Sequence, residues 1–171
     1  VRGDLEVTSG PEGTIGEFFA IIGNLVVAPM PQPGPMQQLS VEFGDGLRFL
    51  GYNSPIIYKE SNELILDTYW TKADKSLQNY TQFYHVLDNK GLFVAQQDQL
   101  HRGGTYPSGA WKLGEIVRDQ ISIKLPPSLP SGTYTIYAGL YDGQSLKRLG
   151  IFKSEAPTKD NGFILGTVNI P

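Results

Sequence analysis

The stretch GGTYPSGAWKLGEIVRDQISIKLPPSLPSGTYTIYAGLYD, residues 103–142, decides the fold. Ile121, Ile123 and Leu125 alternate with Ser122 and Lys124. That is the period-two pattern of a strand with one buried face. Pro126, Pro127 and Pro130 then stop ladder pairing, because proline has no N–H to donate. Ser131-Gly132 supplies a turn. From Thr133 a second strand begins, with Tyr134, Ile136, Ala138 and Leu140 on one face and Thr135, Tyr137 and Tyr141 on the other. A Gly-x-Tyr opening a strand just after a Pro-rich crossover predicts a tyrosine corner. In that device the ring fills the core edge and the hydroxyl bonds backbone upstream. Asp142-Gly143 ends the strand with turn chemistry.

Working outward, the same alternation recurs. Residues 63–71 place Leu64, Leu66, Thr68 and Trp70 inward and Glu63, Asp67 and Thr71 outward, with Tyr69 also on the outer face. Residues 80–88 carry large groups on both faces, Phe83, His85 and Leu87 against Tyr80, Gln82, Tyr84 and Val86. That predicts a central strand, and Tyr80 and Tyr84 are read as outward. Asp88-Asn89-Lys90-Gly91 is a hairpin turn returning along 92–97, and Gly44-Asp45-Gly46 joins strands at 39–43 and 47–52. Further strands are expected at 5–8, 15–22, 25–28, 146–152 and 163–170. The prolines of PMPQPGPM, residues 29–36, make an extended connector. No amphipathic helix of useful length is visible. The predicted fold is all-β, an immunoglobulin-like antiparallel β-sandwich with Greek-key connections and nine to eleven strands. One domain is expected, with 1–36 as extra strands and connector and 37–171 as the sandwich core.

Composition excludes several function classes. The net charge of −3 argues against nucleic acid, which needs a basic surface to neutralise phosphates. The absence of cysteine removes disulfides and thiolate metal sites. The apolar run 18–30 is interrupted by Gly23, Asn24 and Pro29. It is shorter than the roughly 20 residues a bilayer span requires.

Three stretches resemble a known family. The first is Tyr80, Thr81, Phe83, His85, Asp88 and Gly91. The second is Tyr106, Pro107, Trp111, Gly114 and Glu115. The third is Gly132, Tyr134, Gly139, Leu140, Tyr141 and Asp142. Together they resemble the C-terminal soluble β-sandwich domain of bacterial multi-spanning, glycosyltransferase-like membrane proteins related to the protein mannosyltransferases. The resemblance runs from about Phe43 to the C-terminus. It implies a non-catalytic accessory module on the extracytoplasmic side of a bacterial membrane, at the periplasm or cell surface, with the parent transferase as a partner.

The long loop 98–114 holds the candidate ligand-binding residues, Asp98, His101, Arg102, Tyr106 and Trp111. Sugars dock their C–H faces on aromatic planes while carboxylates and amides bond their hydroxyls. Glycan is therefore the leading ligand. For Trp111 the competing role is a plug in one open end of the sandwich, and for His85 it is a core histidine with a hydrogen-bond partner. An Asp98–His101–Ser108 trio lacks the placement of a hydrolase, and no catalytic residue is assigned. No metal or cofactor is assigned. Asp88, Asn89, Asp98 and Asp142 are the oxygen-rich turns to test for calcium, against the simpler role of bonding their own backbone. The functional alternatives are a structural or protein-docking module and a hydrolase of unrecognised type.

Overall fold

Alternation becomes strand wherever one row of side chains can be buried. The computed structural model describes Ile21–Ile22, Leu25–Val26 and residues 34–171. The chain divides into two compact units, 1–33 and 34–171. In the first, β1 (Ile21–Ile22) and β2 (Leu25–Val26) pair antiparallel, with Ile22 opposite Leu25. The strand expected at 5–8, the outer parts of 15–22 and 25–28, and connector residues 29–33 lie outside the described residues.

The second unit begins with β3 (Gln37–Phe43), β4 (Leu47–Tyr52), β5 (Ile56–Tyr58), β6 (Glu63–Lys72), β7 (Tyr80–Leu87) and β8 (Phe93–Leu100). It continues with β9 (Val117–Lys124), β10 (Gly132–Asp142), β11 (Ile151–Ser154), β12 (Thr158–Lys159) and β13 (Gly162–Ile170). One sheet runs β12-β13-β10-β7-β8. In the other, β11, β3, β4 and β6 are neighbours and β9 lies along β6. β5 pairs with Glu63–Ile65 and β4 with Thr68–Lys72. The two short strands therefore occupy successive stretches of one edge of β6, and β9 takes the other. The orders β4-β6-β9 and β13-β10-β7-β8 are those of strands A-B-E and G-F-C-C′ of an immunoglobulin-type sandwich. The expected fold class is observed.

The tyrosine corner is present. Tyr134 opens β10, the F-equivalent strand, and its hydroxyl donates to the Pro130 carbonyl at 2.7 Å. Leu64, Leu66, Ile121, Ile123, Ile136 and Leu140 are fully buried between the sheets. The ring centroids of Phe49 lie 5.0 Å from those of Trp70 and Phe163, giving the core its aromatic centre.

Some expectations are corrected. The strand expected at 146–152 starts only at Ile151, because Leu146 takes a left-handed φ of 58° and turns the chain. β5 and β12 were not expected, being two or three residues long, too short for a period to show. Tyr80 and Tyr84 are inward and buried, and Tyr69 is buried too. Polar chemistry sets the facing of β7. The Tyr84 hydroxyl donates to Gln82 Oε1 at 2.8 Å, and Gln82 Nε2 donates to the buried Asp119 carboxylate. A polar layer thus satisfies itself inside the sandwich.

Candidate functional site

The loop after β8 folds onto the core. His101 is fully buried, with its ring 5.1 Å from Trp70 and 4.6 Å from Trp111, edge to face with both. Burial pushes its pKa down to about 3, so the ring is neutral. Neither ring nitrogen has a partner among the described residues. Trp111 is 4 % exposed and its indole N–H donates to the Tyr106 carbonyl at 3.0 Å. Tyr106 is half-buried and its hydroxyl donates to Glu115 at 2.7 Å. Lys72, buried at the end of β6, donates from Nζ to the carbonyls of Ser76, Ser108 and Gly109 and pins two loops together. This loop is a plug. Trp111 and His101 offer no face to a ligand, which corrects their assignment as binding residues.

The five candidates do not form one site: His101, Tyr106 and Trp111 come together in the plug, and Asp98 and Arg102 lie apart from it. Asp98 is exposed on the outer face of β8, and Arg102 lies on the edge of the sandwich. The imagined trio is not assembled either. Ser108 Oγ accepts the Tyr80 N–H and donates to the Gln78 carbonyl, both at 3.1 Å. His85 is half-buried and is not the hydrogen-bonded core histidine expected. The turn carboxylates bond backbone. Asp88 accepts the N–H groups of Lys90 and Leu92, and Asp142 those of Gln144 and Ser145.

A different surface gathers aromatic rings. Strands β10 and β13 face each other across Gly139 and Gly162, which are paired in register. A Cβ on Gly139 would lie 2.5 Å from the Phe83 ring, and one on Gly162 2.2 Å from the Tyr137 ring. The two glycines leave bare backbone, and the rings of Phe83 and Tyr137 lie flat across it. Phe83 is neighboured by His85 at 4.9 Å, Tyr137 at 5.7 Å and Tyr141 at 6.3 Å between centroids. Phe93 stands edge-on to His85 at 5.4 Å. The outer side of this sheet therefore carries a connected cluster of five rings, with Phe83 and Tyr137 buried beneath His85, Tyr141 and Phe93.

Arg148 crosses that floor. Its guanidinium sits 4.7 Å above the Phe83 centroid and 5.6 Å from that of Tyr137. It donates to the Tyr137 hydroxyl at 2.9 Å and the Asp160 carbonyl at 2.8 Å. An open cleft lies on each side. One, about 240 Å³, is lined by His85, Asp98, Tyr141 and Leu146. The other, about 260 Å³, is lined by Phe93, Tyr137, Lys159 and Asp160. His85 borders both. Burial lowers its pKa and Arg148 lowers it further, against the opposing pull of Asp98, which leaves a neutral ring that both donates and accepts. The Tyr141 hydroxyl donates to Asp98 at 3.2 Å. Burial, with Asp98 beside it, holds the Tyr141 hydroxyl above its ordinary pKa.

Sequence reasoning missed this face because Phe83, His85 and Leu87 were read as the candidate core row. Gly139 and Gly162, glycines inside strand patterns, were the available signal. Such glycines mark close approach of another group.

No family model matches the chain, and no curated protein does. Among solved structures, "The structure of a beta-glucuronidase from glycoside hydrolase family 2" is similar over 75 % of this chain and 13 % of that one. The identity is 12 % and the TM-score 0.41. This chain therefore spans a small fraction of that protein.

Proposed function

We propose that the chain is a glycan-binding, non-catalytic accessory module whose binding surface is the outer face of β13-β10-β7-β8. One observation carries the reading: the reachable rings of His85, Tyr141 and Phe93, seated on the buried rings of Phe83 and Tyr137 and flanked by Asp98 and Arg148. Apolar sugar faces stack on such planes, while a carboxylate and a guanidinium take the hydroxyls. The resemblance extends the reading to a place on the extracytoplasmic side of a bacterial membrane, attached to a glycosyltransferase-like parent.

A second reading is docking of a protein, such as that parent, on the same face. Its support is the exposed apolar rim, where Leu92 is 60 %, Phe93 53 % and Leu146 72 % exposed. A glycan array followed by calorimetry separates the two. Glycan binding predicts saturable heat with at least one oligosaccharide, lost in Tyr141→Ala and Phe93→Ala and kept in Leu92→Ser. Silence across the array refutes it and leaves docking.

A further inference from the structure

We infer a second binding site, for an oxyanion, in the open cleft where the end of β8 and the loop after it meet β6 and β9. The cleft holds about 610 Å³ and is lined by Asp67, Gln99, Arg102, Arg118, Asp119 and Gln120. Its formal charges cancel, so the inference rests on which hydrogen-bonding groups are already used.

Both carboxylates already take donors from the protein. Asp67 accepts from Arg118 at 2.7 Å, Gln120 at 3.2 Å and Asn53 at 3.4 Å. Asp119 is buried and accepts the Arg102 backbone N–H at 2.8 Å and the Gln82 amide, both on Oδ2. The donors are not spent. Arg102 uses Nε on the Arg118 carbonyl at 3.1 Å, and its two terminal amino groups have no partner among the described residues. Arg118 commits one amino group to Asp67, and the Gln99 amide has no partner among the described residues.

The backbone agrees with this. Arg102 adopts φ 53°, followed by Gly103 at 60° and Gly104 at 88°. A left-handed conformation is unfavourable for arginine and persists where the surroundings enforce it. The buried Asp119 carboxylate enforces it here, which makes Asp119 a positioning residue for the Arg102 fork. A cleft whose two guanidinium groups keep free N–H donors suits a ligand rich in acceptors. Planar donor pairs match carboxylate, sulfate and phosphate oxygens.

This site is separate from the aromatic face. Asp98 pairs with Phe83 and Gln99 with Gln82, so these successive β8 residues sit on opposite faces of the sheet. The two surfaces can therefore bind ligands independently.

The test titrates the protein at constant ionic strength with inorganic phosphate, sulfate, glucuronate and neutral methyl glucoside. Binding is followed by the NMR signals of the arginine Nε–H groups. The three anions are expected to saturate at about millimolar concentration, shifting Arg102 and Arg118, while methyl glucoside does not. Tighter glucuronate assigns the site to a carboxylated sugar, and tighter phosphate or sulfate to an ester of those acids. Arg102→Gln is expected to weaken binding at least fivefold, as is Arg102→Lys, which keeps the charge and loses the planar fork. Arg102 is solvent-facing, so an amide spectrum unchanged away from the cleft verifies folding of both variants. Tyr141→Ala is expected to leave anion binding intact. No saturable shift, an unchanged affinity in Arg102→Gln, or equal binding of methyl glucoside would overturn the inference.

Discussion

Substituting Gly162 by alanine tests the aromatic floor directly. Gly162 has an ordinary strand backbone, so alanine itself is tolerated there. The added methyl would meet the Tyr137 ring and its hydroxyl oxygen, each at 2.2 Å, where carbon contacts normally sit at about 3.5–4.0 Å. The ring must lift off the sheet. It then loses its bonds to Arg148 and the Lys159 carbonyl, and Arg148 loses its seat. Overpacking of this kind costs about 1–3 kcal/mol, and for a domain of this size about 2 kcal/mol lowers Tm by roughly 4–8 °C. In a Tyr137→Ala background the clash partner is gone. The same Gly162→Ala change then stabilises by about 0.4–1 kcal/mol, because alanine restricts the unfolded chain. The sign should reverse. Urea unfolding of wild type, both single variants and the double variant gives the coupling, expected at about 2–3 kcal/mol. Additivity within about 0.5 kcal/mol would mean that Tyr137 does not lie over Gly162, and the floor would be lost with it.

Other perturbations separate core from surface. Tyr134→Phe removes only the bond to the Pro130 carbonyl and should cost about 1 kcal/mol in urea, so an unchanged midpoint would count against the tyrosine corner. Trp111→Ala should cost about 3–5 kcal/mol by thermal melt, whereas Trp111→Phe should fold and keep any glycan response, since the ring is a plug. Burial holds the Asp119 carboxyl above its ordinary pKa, partly opposed by the Arg102 N–H and the Gln82 amide. A raised folded pKa adds stability below the unfolded value of about 3.9 and loses it as pH rises through the folded value. Stability of wild type relative to Asp119→Asn should therefore fall as pH rises above the unfolded value of about 3.9. Asp67, Glu115 and Asp142 titrate in both proteins and cancel in that difference, and a flat difference would contradict the shift.

What could be read from the residues followed from how each strand is covered. Leu64, Leu66, Thr68 and Trp70 showed their facing because one row is apolar and the other bears Glu63 and Asp67. The Pro-rich corner and Tyr134 fixed the crossover, since few other structures use that order of residues. β7 was different. Both its rows are bulky and its inward row includes Gln82, so alternation revealed two faces but not which one met the opposite sheet. The partner that settles it, Asp119, lies 37 residues away in sequence. The histidines misled for a related reason. His85 stands in an apolar row that turns out to be the outer face, while His101 follows a polar strand end yet sits between Trp70 and Trp111. Loop residues reveal their burial only when the chain that covers them is known.

The central claim is that ligand is bound on the outer face of β13-β10-β7-β8. Backbone amide mapping by NMR during titration with the best oligosaccharide from the array tests it most directly. Shifts are expected to concentrate at Phe83, His85, Phe93, Asp98, Tyr137, Tyr141 and Arg148, with the amides around Trp111 unmoved. Shifts centred on residues 101–115 with that face silent would contradict it.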